Sequence, residues 1–193
     1  MMFRRIFTVF LLIASPSVFA DALDIKLNNN TAAFSFSTPA GALVQGNSDF
    51  HVGVLYNDSM NSLGDFGMLV KGDEGDVPGL TLAVGAKGLV GMIRDYIPGT
   101  TENVAALVIG GELGFGFPAA KQLSMAIDYF AGPKIMAFGD ANRANQLGIH
   151  ADFEVSPGTK VYIEYSETNF GITNTGQTAK LNGGTYLGVK LTF

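Results

Sequence analysis

The sequence contains no cysteine and no tryptophan, and charged residues make up only 15% of its 193 residues. Disulfides therefore cannot hold the fold. The formal net charge is −5, and an acidic chain lacks the basic surface that nucleic-acid binding needs, so we expect no nucleic-acid partner. Beyond residue 20 no apolar run reaches the roughly 18 residues of a membrane-spanning helix. The mean hydropathy is nevertheless +0.26, so a closed barrel of strands is the remaining route across a bilayer.

The N-terminal segment has the three parts of a secretory signal. A short basic start, MMFRR, precedes the apolar run IFTVFLLIA (6–14), and SPSVFA follows with small residues at Val18 and Ala20. This segment is too short to span a membrane and is flanked as an export signal is. The sequence therefore predicts a signal peptide over 1–20, cleaved after Ala20, and a single domain over 21–193.

The rest of the chain alternates apolar and polar residues with a period of two. The clearest case is LGIHADFEV (147–155), and KVYIEYS (160–166) follows it after the turn SPGT. About ten such runs occur, separated by turn residues, which is typical of antiparallel strands. The sequence predicts an all-β fold, a transmembrane antiparallel up-and-down β-barrel of about ten strands, or eight if the N-terminal hairpin lies outside the wall. A soluble sandwich or barrel is the competing architecture.

Two features favour the membrane barrel over the soluble one. The polar faces of the strands hold glycine, alanine and scattered charges, which suit a narrow barrel interior better than a solvated surface. The connections also alternate in length, with long ones at 167–184 and 132–146 and short ones at 156–159 and 118–122. Long external loops and short periplasmic turns are typical of bacterial outer-membrane barrels. We therefore expect the protein in the outer membrane, in contact with its lipid and lipopolysaccharide.

The last stretch, TYLGVKLTF (185–193), is a strand that continues to the final residue. Phe193, Leu191, Val189 and Leu187 are apolar, and the residues between them are polar or small. A closed barrel must pair its last strand with its first, so that strand has to be complete. Such an ending is similar to the C-terminal signal of outer-membrane proteins, which implies recognition by the barrel assembly machinery through Phe193.

Five stretches carry a resemblance to a known family. They are DIKLNNNTAAFSF near the start, VGVLYND (52–58), LVIGGELGF (107–115), YFAGPKIMAFGDAN (129–142) and YLGVKLTF at the end. Together they make the whole mature chain resemble the YfaZ-type family of predicted outer-membrane proteins. The resemblance implies the location and the barrel fold. It brings no catalytic motif, no cofactor and no site residue, and it implies no established activity.

The polar face of the second half contains the residues with the most chemistry. Acids, bases and tyrosines on these strands are expected to point into the barrel and to neutralise one another there. The expected interior residues are Glu112, Asp128, His150, Asp152, Glu154, Lys160, Tyr162, Glu164, Tyr186 and Lys190. A lipid hydrolase that uses His150 with Ser124 or Ser166 and an acid is a weaker alternative. We expect no enzyme and assign no catalytic, cofactor or metal residue.

Two predicted loops contain residues that could bind a ligand. Asp73, Glu74 and Asp76 in GDEGD are carboxylates that could hold Ca²⁺, but their spacing is not that of a calcium loop, which favours a polar turn. FGDANRAN (138–145) is expected outside the cell, where Lys134 and Arg143 could contact lipopolysaccharide or a partner. The expected function is structural or surface interaction by a barrel with a filled interior. A small porin-like channel is the alternative.

Overall fold

The computed structural model describes residues 22–40, 47–72, 77–94 and 98–193, which form antiparallel strands and one short 3₁₀ turn. The predicted signal segment 1–20 lies outside these residues. No helix in the described ranges is long and apolar enough to cross a membrane. The strands are β1 (Ala22–Leu27), β2 (Thr31–Pro39), β3 (Ser48–Asn57), β4 (Ser62–Lys71), β5 (Leu80–Arg94), β6 (Thr101–Gly116), β7 (Leu123–Gly132), β8 (Ala137–Gly139), β9 (Ala141–Ser156), β10 (Thr159–Ile172) and β11 (Thr178–Thr192).

Ten of the strands close into one antiparallel barrel. Each pairs with its neighbour along the wall, and β1 pairs with β11 from Ala22↔Thr192 to Leu27↔Leu187. The short β8 pairs with β6 next to the end of β7. The prediction of about ten strands is confirmed. The eight-strand alternative is wrong, because β1 and β2 complete the wall and removing them would leave β11 and β3 with unpaired edges.

The two faces of the wall differ in the way that the sequence period predicts. On β10, Val161, Ile163 and Tyr165 are 38%, 50% and 40% exposed, whereas the even-numbered Tyr162 and Ser166 are buried. Successive side chains of a strand point to opposite faces, so the odd positions of β10 cover the outside. The same apolar exterior continues on β3, β5, β6, β7 and β9. An apolar outer face around a closed wall is the arrangement of transmembrane barrels.

The strands on one side of the barrel are longer than those on the other side. We call the end that holds the Ala22↔Thr192 pair the terminal end and the opposite end the distal end. The strands β1 to β4 have 6 to 10 residues, whereas β5, β6, β9, β10 and β11 have 14 to 16. A barrel strand needs about 9–11 residues to cross a bilayer. The longer strands therefore extend past the hairpins β1–β2 and β3–β4 at the distal end.

An apolar core fills the barrel interior at the distal end. Its side chains come mainly from the inner faces of the long strands, and several are completely buried. The largest buried members are Leu89, Val104, Val108, Phe130, Phe170, Ile172 and Leu181. Apolar burial on this scale stabilises the extended part of the wall, since each fully buried large side chain contributes about 1.5–3 kcal/mol.

The predicted alternation of loop lengths is wrong. The supposed long connection 167–184 is mostly strand, because β10 continues to Ile172 and β11 begins at Thr178. The connection 132–146 holds a 3₁₀ turn (Lys134–Met136), β8 and the start of β9. Two of the segments at the terminal end, 40–47 and 72–79, are as long as the segment 133–140 at the distal end. The distal end of the barrel is therefore formed by strands that extend past their shorter neighbours, rather than by long loops.

Candidate functional site

A polar cavity of about 290 Å³ lies inside the barrel. Six carboxylates, four lysines and two histidines contribute to its lining. Leu55 and Leu63, which belong to the apolar core, line it as well, so the core adjoins the cavity directly. The ionisable lining residues are Asp24, Lys26, His51, Asp65, Lys87, Glu112, Asp128, His150, Asp152, Lys160, Tyr162, Glu164 and Lys190.

Ion pairs and hydrogen bonds connect many of these groups across the strands. The bonds are Lys26 Nζ to Glu164 Oε1 (2.7 Å), His51 Nε2 to Asp65 Oδ1 (2.7 Å), His150 Nδ1 to Asp152 Oδ2 (3.0 Å) and Tyr162 Oη to Asp24 Oδ1 (2.5 Å). Charges inside a low-dielectric wall are tolerated when they are paired in this way. The interior therefore holds the neutralising network that the alternation predicted.

The predicted interior residues mostly line this cavity. Of the ten, Glu154 and Tyr186 are the two that do not. Glu154 is partly exposed on β9, and Tyr186 is 1% exposed, with its hydroxyl donating to Asn182 Oδ1. The interior is less completely filled than expected, because a cavity remains between the charged groups. Side chains of the apolar core fill the interior only at the distal end.

Five ionisable lining residues were not on the predicted list: Asp24, Lys26, His51, Asp65 and Lys87. Most of them alternate with apolar residues in the first half of the chain, in ALDIKL, DFHVGVLY and LTLAVGAK, so the same period would have identified them. Asp65 was missed because the strand signal before Phe66 is weak, although β4 begins at Ser62.

The serine–histidine–acid alternative is not assembled in a catalytic order. In a triad the histidine lies between the serine and the acid. Here Ser124 Oγ donates to Asp152 Oδ2 (3.3 Å), and Asp152 also contacts His150, so the acid lies in the middle. Ser166 Oγ has no hydrogen-bond partner among the described residues. Neither serine donates to His150, and the contacts that are present form an ion-paired network.

The structure describes one of the two candidate binding loops. Asp73, Glu74 and Asp76 lie outside the described residues. In the described ranges no group of three or more histidine, aspartate or glutamate side chains is arranged to hold a metal ion. Lys134 is exposed in the 3₁₀ turn, whereas Arg143 lies in β9 and donates to Thr178 Oγ1 (2.8 Å).

The exposed turn with Lys134 carries apolar residues beside its charge. Ile135 is 85% exposed and Phe138, on β8, is 59% exposed. We call Lys134, Ile135 and Phe138, which lie in the connection between β7 and β9, the distal surface.

Comparison with known proteins supports the family that the sequence resembles. Residues 2–193 match the YfaZ family, described as "YfaZ precursor". No curated protein of similar sequence was found. One solved structure, titled "KdgM porin", is 9% identical and covers 89% of this chain and 98% of its own, with a TM-score of 0.43. Another, titled "Unveiling the Mechanism Behind the in-meso Crystallization of Membrane Proteins", is 13% identical over 89% of this chain and 82% of its own (TM-score 0.40).

Proposed function

We propose that this chain, which belongs to the YfaZ family, is an integral outer-membrane barrel that interacts at the cell surface and does not conduct solutes or catalyse a reaction. Support for the location comes from the apolar outer face and from the description of the family as a precursor. In this placement the terminal end faces the periplasm and the distal end faces outward.

The observation that carries the proposal is the apolar core at the distal end. Phe130, Phe170 and Leu181 are at most 1% exposed, and they lie inside the wall beyond the polar cavity. A hydrophobic constriction excludes water and ions, because nothing there replaces their hydration shell. A solute that entered the cavity from the terminal end would therefore meet a closed layer.

Single-channel recording in planar bilayers tests this proposal. The refolded barrel is expected to give no conductance steps, whereas the double variant Phe130→Ala/Phe170→Ala, which removes two rings from the core, is expected to give them. Phe153→Ala is the matched control, since this ring is 46% exposed on the outer face. A shift in gel mobility on heating verifies that each variant is folded. Regular steps from the unaltered barrel would contradict the proposal.

A small porin-like channel is the second candidate, and the cavity favours it. Charged groups of both signs line its roughly 290 Å³, which is the lining of a water-filled pore rather than of a dry core. In that case the distal core would have to move aside. The same recording separates the two candidates, because a channel conducts without any change to Phe130 or Phe170.

We further propose that the distal surface contacts lipopolysaccharide. Lys134 supplies a cation for phosphate, and Ile135 and Phe138 supply apolar area for the acyl boundary. Arg143 contributes less in this proposal, because it already donates to Thr178. Lys134→Glu should weaken retention of the refolded barrel on lipopolysaccharide-coated beads, with Lys121→Glu in the β6–β7 turn at the terminal end as control. Equal retention of both variants would refute this contact.

We also propose that the assembly machinery reads the outer face of β11. Leu187 and Val189 are 70% and 40% exposed on the outer side of β11, and Phe193, which directly follows the end of this strand at Thr192, is 80% exposed. Phe193→Asp should slow insertion and expose unpaired strand edges to proteolysis, whereas Phe193→Tyr should insert normally because it keeps an interfacial ring. The folded fraction in outer membranes, measured by heat-modifiable mobility, decides between them.

A further inference from the structure

The cavity contains two carboxylates that no described side chain contacts through a hydrogen bond or an ion pair. Glu112 on β6 and Asp128 on β7 are direct cross-strand partners. Neither makes a hydrogen bond or an ion pair within the part of the chain that the structure describes. Like charges placed directly opposite each other in a sheet are destabilising. The other four carboxylates of the cavity lining each contact a lysine, a histidine or a tyrosine.

A buried hydroxyl without a partner lies in the same register row. The row runs from Glu112 through Asp128 and Gly148 to Ser166 on β10. Ser166 is 5% exposed, lines the cavity, and its Oγ finds no hydrogen-bond partner. A buried hydroxyl left unpaired costs about 1–3 kcal/mol, so an occupant of the cavity that satisfied it would be favoured.

Gly148 brings these groups toward each other. A Cβ at this position would overlap the carboxylate of Asp128, so the carboxylate lies over the glycine and extends toward Ser166. Adjacent strands are about 4.8 Å apart, so a larger residue at 148 would separate the acid from the hydroxyl. The row thus presents two anionic acceptors and a hydroxyl to one side of the cavity.

Lys87 is the nearby cation on the neighbouring strand β5, and it is engaged elsewhere. Its ammonium donates to Gln146 Oε1 (3.2 Å) and lies 4.0 Å from the centroid of the Phe130 ring. It therefore forms no ion pair with Glu112 or Asp128. The lysine, the histidines and the tyrosine that contact the other four carboxylates are engaged there, so Glu112 and Asp128 keep no hydrogen-bonded or ion-paired partner among the described residues and remain open to an occupant.

From this geometry we propose that the cavity binds a small organic cation, with a primary ammonium held by Glu112, Asp128 and Ser166. An ammonium has three N–H donors, which match two carboxylates and one hydroxyl oxygen. The absence of a metal-holding group of three or more acids or histidines in the described ranges favours an ammonium over a divalent metal. The cavity of about 290 Å³ accommodates a short alkyl chain beside the charged head.

Calorimetric titration of the refolded barrel in detergent at low ionic strength tests this proposal, with n-butylammonium chloride as the probe. Saturable binding is expected, and Asp128→Asn and Glu112→Gln should each weaken it about 10-fold or more, since each removes a charge-assisted hydrogen bond. Glu154→Gln is the matched control, because it removes an inward acid outside the cavity lining. It should leave the affinity within about twofold.

A further variant and a second probe complete the test. Ser166→Ala should weaken binding several-fold and yet raise the unfolding temperature of the empty barrel, because it removes an unsatisfied hydroxyl. Sodium butyrate should not bind. The proposal is overturned by the absence of saturable butylammonium binding, by equal losses in Glu154→Gln and Asp128→Asn, or by calcium chloride binding at Glu112 and Asp128 while butylammonium does not. These outcomes are independent of whether the barrel conducts.

Discussion

Gly110 marks a position where two backbones of the wall approach closely. A Cβ there would overlap the carbonyl oxygen of Tyr129 and the Cα of Phe130 on β7. The strand must therefore move if a side chain is added, and overpacking of this kind costs about 1–3 kcal/mol. Gly64 on β4 is different, since its nearest neighbour would be Val90 O at 3.8 Å.

We therefore expect Gly110→Ala to lower the free energy of unfolding by about 1–3 kcal/mol and Gly64→Ala to leave it nearly unchanged. The urea midpoint of unfolding in lipid vesicles measures both. The comparison is matched, because both changes add one methyl group to a glycine in a wall strand. Similar midpoints for the two variants would show that the β6–β7 approach is not tight.

The facing of individual residues could be predicted from the sequence, but their pairing could not. The period of two placed His150, Asp152 and Glu164 inside the barrel, and all three line the cavity. The period does not say which groups meet, because this depends on register between strands distant in sequence. Lys26 and Glu164 form an ion pair although 138 positions separate them, and no local pattern announces such a contact.

The β3–β4 hairpin joins the edges of the two strands that extend beyond it. Asn57 Nδ2 donates to Leu181 O of β11 (3.1 Å), and Arg94 N of β5 donates to Asn61 Oδ1 (2.8 Å). The two asparagines are themselves connected, since Asn61 N donates to Asn57 Oδ1 (2.9 Å). The hairpin thus supplies side-chain partners to backbone groups of β11 and β5 beyond the ends of the short strands. These partners protect strand edges that would otherwise be exposed.

Asn57→Ala should lower the free energy of unfolding by about 1–3 kcal/mol, because it leaves the Leu181 carbonyl and the Asn61 amide without these partners. Asn29→Ala is the control, as this exposed side chain lies in the neighbouring β1–β2 turn. Faster hydrogen exchange at the amides of 178–184 in the Asn57→Ala variant, and not in the control, would locate the effect at the β11 edge. No difference between the variants would argue against this role of the hairpin.

The distal strand ends were harder to predict than the strands themselves. The outward residues Glu167, Asn169 and Lys180 are polar. The apolar outer face that identifies β10 and β11 nearer the terminal end therefore ends before these residues. The inner face reverses as well, since Phe170 and Ile172 point into the core. A strand that leaves the membrane exchanges its apolar outside for an apolar inside, and this inverted pattern resembles that of a polar loop, so the sequence predicts a loop there.

Taken together, the molecule is a barrel with two interiors. At the level of the apolar outer band the interior is polar and holds the cavity, and beyond it the long strands enclose the distal core. The first part needs lipid around it, because its outer face is apolar. On β10 and β11 the second part has a polar exterior around its apolar interior, as a protein in water does, whereas on β5 and β6 the apolar exterior continues at Val90, Met92 and Leu107. The central claim is that the apolar outer face of the wall, which on β10 consists of the odd-numbered positions, contacts lipid.

Spin-label accessibility along β10 tests that claim most directly. The chain has no cysteine, so no native cysteine has to be removed before labelling. Single cysteines can therefore replace the residues at 161, 162, 163, 164, 165 and 166 one at a time. In refolded vesicles, labels at 161, 163 and 165 should be accessible to oxygen dissolved in lipid, and labels at 162, 164 and 166 should be protected from it. A period of two in this phase is the predicted result. Accessibility to a water-soluble nickel reagent at 161, 163 and 165, or no alternation, would contradict the account.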